Sequence, residues 1–280
     1  MGNKFWIAAL ALAIAPAAAQ TPLERGKYLV EGILTCGNCH TPRGPGGVLD
    51  ANKRHAGGPQ VWETAEYRVH PSNITPDNET GIGRWTAGQI KTAIRDGRRP
   101  SGQQLSPQMP YAYYKIFAPA DLDAVVAYMQ SLPPVPRPVE SSVYKVKKMT
   151  VDVPPGAEKP LSEAAMKDAA KRGFYLVTVG HCMECHTPAV NGHRDFKNAL
   201  GTGGERFEGP WGASVSRNIT PHKTNGIGAW TDDEVKGAIT EGVRKDGTKL
   251  RPPMGYDWYA RMTDADLSAI IAYLRTLPAR

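Results

Sequence analysis

The residues best able to do chemistry are four cysteines, and all four fall in two copies of one pentapeptide. The first copy is Cys36-Gly37-Asn38-Cys39-His40 and the second is Cys182-Met183-Glu184-Cys185-His186. Two thiols separated by two residues, with a histidine directly after, form the attachment signal for a c-type haem. The thiols add to the two vinyl groups, and the histidine reaches the iron from one face. A zinc site would need four convergent ligands, usually as paired C-x-x-C knuckles without a fixed following histidine. A disulfide would place no demand on the residue after the second cysteine. The pattern therefore predicts two covalently bound haem c groups on Cys36, Cys39, Cys182 and Cys185, with His40 and His186 as iron ligands.

The sixth ligand decides what such a haem does. A strong ligand makes an electron carrier, and an open position makes an enzyme. The chain repeats itself at a spacing of 145 to 147 residues, and equivalent haems should use equivalent ligands. His55, His70, His181, His193 and His222 have no histidine at the matching place in the other copy. Met129, Met149, Met166, Met183 and Met262 likewise lack a matching methionine, and core packing accounts for them. Only Met109 and Met254 match, each in a Pro-x-Met turn before the last helix of its copy. They are the expected second axial ligands. A thioether stabilises ferrous over ferric iron, so both haems should be low-spin and of relatively high potential. Asn73, Trp85 and Tyr111 recur as Asn218, Trp230 and Tyr256. They are candidates for the haem pocket, although core packing and turn capping account for them equally well.

The elements that must hold these residues repeat as well. In each copy a helix precedes the cysteines, over about residues 22–35 and 162–179. A loop of 40 or more residues follows. Thr86-x-x-Gln89 and Thr231-x-x-Glu234 then read as capping boxes. After them Ile90, Ala93 and Ile94 share one helical face, as do Val235, Ala238 and Ile239, and Gly97 and Gly242 are plausible stops. The last helix starts near Pro119 and near Thr263. Its buried stripe is Leu122, Val125, Val126 and Met129, matched by Leu267, Ile270, Ile271 and Leu274. Gly26 with Tyr128, and Gly173 with Tyr273, are expected where first and last helices cross closely. Alternating strands are not evident, so the predicted class is all-α.

The division that follows is an export signal at 1–19, module 1 at 20–133, a proline-rich linker at 134–160 and module 2 at 161–280. Lys4, the apolar run from Phe5 to Ala15 and Ala17-Ala18-Ala19 carry the signal. That run is too short for a spanning helix, so the expected location is the periplasm, soluble or peripherally membrane-associated. The linker opens with Pro134-Val135-Pro136-Arg137-Pro138 and should be extended, laid over one module. The net charge of +7 is spread thinly, without the dense basic stripe of a nucleic-acid binder.

With these residues in view, the chain resembles class I cytochrome c. The shared features are C-x-x-C-H early in a module, Pro-x-Met late, and a final helix reading Asp-Leu with a following Ala-Tyr and Leu-Pro. Asn-Ile-Thr-Pro at 73–76 and 218–221 and Gly-Ile-Gly-x-Trp at 81–85 and 226–230 resemble the cytochrome c subunits of membrane-associated bacterial alcohol and gluconate dehydrogenases. The resemblance implies two tandem class I domains acting in electron transfer and no catalytic activity of their own. The implied donor is a catalytic dehydrogenase subunit, and the implied acceptor a quinone, an oxidase or another cytochrome. Many members of that group have three haem modules, whereas this chain has two. The competing expectation is a haem enzyme, such as a dihaem peroxidase or a thiosulfate-oxidising cytochrome. That class needs an iron able to open, or a Cys or Lys ligand, and no spare cysteine exists here.

Overall fold

The computed structural model describes residues 20–209 and 211–280. The expected export signal at 1–19 lies outside the described residues. Module 1 opens with helix α1 (Pro22–Glu31), followed by the short helix α2 (Cys36–His40), which is the first haem motif itself. Helices α3 (Ala87–Asp96) and α4 (Pro119–Ser131) complete it. Module 2 repeats the order with α5 (Ala169–Val179), α6 (Cys182–Cys185), α7 (Asp232–Thr240) and α9 (Asp264–Leu274). A short helix α8 (Tyr256–Tyr259) stands before α9, where module 1 has a 3-10 turn at Tyr113–Ile116.

The helix starts are set by side chains. Thr86 accepts from the Gln89 N–H while the Gln89 side chain accepts from the Thr86 N–H, and Thr231 and Glu234 do the same. A third such box, Thr21 with Glu24, starts α1. Each satisfies two N–H groups that a helix end otherwise leaves free. The first helix of each module is shorter than its sequence pattern. α1 stops at Glu31, and α5 begins only at Ala169, after a 3-10 turn at Ala165–Lys167. The chain then turns sharply into each motif through Thr35 (φ 49°) and His181 (φ 42°), both left-handed. Such residues are costly and persist where surrounding structure holds them.

First and last helices of each module cross closely. A Cβ on Gly26 would lie 2.6 Å from the Ala124 carbonyl carbon and 2.8 Å from Tyr128 Cβ. On Gly173 it would lie 2.7 Å from both the Ala269 carbonyl carbon and Tyr273 Cβ. The expected crossings are thus observed, and only glycine fits them. The predicted stripes of α4 and α9 are buried, as are Ile90, Ala93 and Ile94 of α3. In α7 only Val235 is fully buried, with Ala238 and Ile239 partly so.

The expectation of no strands is corrected. Strands β1 (Trp62–Glu63), β2 (Tyr67–Val69) and β3 (Val143–Tyr144) form one small sheet, β4 (Ala189–Val190) and β5 (His193–Arg194) a second, and β6 (Arg206–Gly209) and β7 (Gly212–Val215) a third. All are antiparallel and two to four residues long, too short for alternation to be legible in sequence. They fold the long loops back on themselves, and the architecture remains helical with small sheets. The segment after α4 is extended and laid over module 1, where its strand β3 pairs with β2. It then reaches module 2, where Asp152 accepts from the Arg194 N–H.

The two modules share one hydrophobic core, to which α1, α4, α5 and α9 all contribute. A reciprocal polar clasp seals it. In module 1 Arg25 pairs with Asp121 at 2.8 Å, and Tyr175 of module 2 donates to the same carboxylate at 2.7 Å. In module 2 Arg172 pairs with Asp266 at 2.5 Å, and Tyr28 of module 1 donates to it at 2.6 Å. Both aspartates are buried, and a buried carboxylate is tolerated only when so partnered. Each module therefore completes the other's buried ion pair.

Candidate haem sites

The two motif histidines are held identically. His40 Nδ1 lies 2.7 Å from the Ser72 carbonyl oxygen, and His186 Nδ1 lies 2.7 Å from that of Arg217. A carbonyl accepts only, so Nδ1 carries the proton and Nε2 keeps its lone pair, the arrangement an iron ligand needs. Burial keeps both rings neutral. It pushes the His40 pKa down to about 4 and lowers that of His186. The backbone carbonyl of each histidine accepts in turn from a glycine N–H, that of Gly57 for His40 and of Gly203 for His186, both at 2.8 Å. A Cβ on the next glycine of module 1, Gly58, would collide with the Cys39 carbonyl.

The four cysteines are half-buried. Burial pushes Cys36, Cys182 and Cys185 up to about 12 and raises Cys39. Among the described residues no cluster of three or more His, Cys, Asp or Glu could hold a metal ion. The donor set fits two covalently attached haems, each with one imidazole prepared for the iron.

Met109 and Met254 are half-buried against the core, whereas Met129, Met183 and Met262 are buried within it and Met149 is buried in a separate small cluster with Tyr67 and Val69. The Met109 turn is closed by two backbone bonds, from the Met109 N–H to Ser106 and from the Tyr111 N–H to Met109. The Tyr111 and Tyr256 rings cover the left-handed glycines Gly97 and Gly242 beyond α3 and α7. The Tyr111 hydroxyl accepts from Gln104 at 2.8 Å. Trp85 and Trp230 pack against the core from its edge. The two asparagines fasten the chain where it leaves the last helix of each module. Asn73 donates to the Val135 carbonyl at 2.8 Å and Asn218 to that of Arg280 at 2.6 Å. Each also accepts from the N–H and hydroxyl of the following threonine, Thr75 or Thr220.

Other residues around the sites escaped the sequence reading. Thr41 and Thr187, directly after each motif, are buried, and their hydroxyls accept from the N–H of His55 and of Gly201. The signal was present, since Thr-Pro follows both motifs. Arg99 and Arg244 also match between copies. Arg99 bears electrostatically on His40 and lines a polar cavity of about 360 Å³ with Ser72, Asn73 and His70. His55, set aside as a ligand, is fully buried with Nε2 2.8 Å from Glu31.

A sequence profile described as cytochrome c matches residues 23–133 and 170–278. The chain belongs to the cytochrome c family. Its two modules each carry one attachment motif, and together they hold two covalently bound haem c groups. Among relatives, the chain is 30% identical over 298 residues to the alcohol dehydrogenase (quinone) cytochrome c subunit of Gluconacetobacter polyoxogenes, which covers 98% of this chain and 61% of that protein. It is 30% identical over 283 residues to the fructose dehydrogenase cytochrome subunit of Gluconobacter japonicus, covering 95% and 54%. It is 29% identical over 254 residues to a diheme cytochrome c-type protein of Cereibacter sphaeroides, covering 87% and 82%. This cytochrome thus spans little more than half the length of the two dehydrogenase subunits.

Proposed function

We propose that this cytochrome is a dihaem electron-transfer protein that accepts electrons from a dehydrogenase catalytic subunit. It passes them to a quinone, an oxidase or another cytochrome, and catalyses no substrate chemistry itself. The modules are tandem class I cytochrome c domains at 20–133 and 161–280, joined by the strap 134–160. Cys36 and Cys39 attach haem 1, and Cys182 and Cys185 attach haem 2. His40 with Met109, and His186 with Met254, are the axial pairs. Export to the periplasm follows from the leader at 1–19, and no helix among the described residues is long and apolar enough to cross a membrane.

The observation that carries this reading is the equivalence of the two sites. Each motif histidine is oriented by a backbone carbonyl at the same distance, and each module offers one methionine at the same place in the repeat. A peroxidase would need one iron able to open, and both modules offer the same methionine. The haem iron supplies the one-electron step. The chain's own contribution is to fix the imidazole tautomer, present a thioether that raises the potential, and surround both with buried apolar residues.

Met109→His and Met254→His, made separately, test the assignment. Each should lower the potential of one haem and leave the other in place in a redox titration. If either change moves neither potential, that ligand is wrongly assigned.

A further inference from the structure

The first attachment helix is met at the module interface by an aromatic residue of the opposite module. A Cβ on Gly37, the second residue of the first motif, would lie 2.6 Å from Cη2 of Trp258. Trp258 is buried, and Arg261 lies over its ring at 5.0 Å while donating to the Glu31 carbonyl at the end of α1. The residue equivalent to Trp258 in module 1 is Tyr113, which is 1% exposed. At the second position of the other motif stands the buried Met183, where the first motif has Gly37. Directly after Tyr113 and Trp258 stand Tyr114 and Tyr259, also equivalent. Tyr114 lies near Cys36 and Cys39 of its own module, Glu184 of the other, and Tyr259. Tyr259 lies near Cys182 and Cys185.

Building on the dihaem reading above, we propose that Trp258 is a positioning residue. It keys the haem-attachment helix of the opposite module and so sets the gap across which one electron passes between the haems. An electron passing between two bound haems would oxidise one iron and reduce the other, with no bond made or broken. Cys36 and Cys39 would tie one haem to its attachment helix, so the hold of Trp258 on that helix would bear on where that haem sits. Close-packed interiors transmit such a constraint because they barely compress. The contact also makes Gly37 specific: module 2 holds a long side chain at this place, and Trp258 leaves module 1 no room for one.

The test uses the haem-loaded protein. One haem is reduced by a fast pulse, and equilibration with the other is followed optically. Trp258→Ala should keep two haems per chain, both potentials and both low-spin spectra, while equilibration slows severalfold. Gly37→Ala should slow it too, by pushing on Trp258, and should do so far less in the Trp258→Ala background. That non-additivity marks a direct contact. An unchanged rate in both single variants overturns the proposal, and so do independent effects of the two substitutions. Should Trp258→Ala fail to mature, Gly37→Ala and Trp258→Phe carry the same comparison. A wild-type protein with fewer than two haems would instead sink the dihaem reading itself.

Discussion

Gly173→Ala is the most exacting perturbation of the helix crossing that holds module 2 together. The new Cβ would lie 2.7 Å from the Ala269 carbonyl carbon and from Tyr273 Cβ, and closer still to the carbonyl oxygen. Ordinary contact begins at 3.4 Å, and the carbonyl oxygen sets the demand, so α5 and α9 must part by well over ~0.7 Å. The obstacle is backbone, which cannot swing aside as a side chain tip would. Overpacking of this kind costs about 1–3 kcal/mol, and a rigid obstacle places it at the upper end. Replacing glycine by alanine inside a helix returns about 0.5–1 kcal/mol. The net loss is about 2 kcal/mol, which at this chain length lowers the melting temperature by roughly 4–8 °C. Gly237→Ala in α7 is the control, because nothing lies within 4 Å of its added Cβ. There only the helix gain remains, so the melting temperature should rise by roughly 1–4 °C. Thermal unfolding of the haem-loaded protein, followed by far-ultraviolet circular dichroism, reads both. The reasoning is refuted if the two variants shift in the same direction, or if Gly173→Ala is neutral.

The remaining predictions concern the clasp and the exit chains. Tyr175→Phe removes a hydrogen bond to a buried carboxylate and should cost about 1.5–3 kcal/mol in urea unfolding. Asp121→Ala strands both Arg25 and Tyr175 and should cost more, about 3–5 kcal/mol. Asn73→Ala frees the segment after α4 and should cost about 1–3 kcal/mol. Asn218→Ala should cost less in the same assay, since its site is more exposed.

The sequence made some features plain because their cause is local. A capping box needs only residues three apart, so Thr86 with Gln89 and Thr231 with Glu234 marked two helices correctly. Gly26 and Gly173 were legible through the repeat, which placed each opposite the same tyrosine on the last helix. What was not legible depends on distant or backbone partners. The carbonyls that orient His40 and His186 belong to a serine and an arginine, and no side-chain pattern marks them because the backbone does the work. The bond from Tyr28 to Asp266 joins residues 238 apart and exists only once the modules are docked. Nothing in the sequence pattern marks Trp258, whose place against Gly37 of the opposite module's motif depends on the docking of the modules. The small sheets were missed because two-residue strands have no period to read. The methionines were singled out by the repeat alone, since a lone Met109 reads as core filler.

The central claim is that two equivalent haems sit in one chain as low-spin electron carriers. The most direct measurement is haem content per chain, taken with the visible spectrum of the oxidised protein. The account predicts two haem c per polypeptide, both low-spin, with the weak methionine-to-iron absorption at the red end and its loss from one haem in each single Met→His variant. A single haem per chain, or a high-spin band from either iron in the wild-type protein, would contradict it.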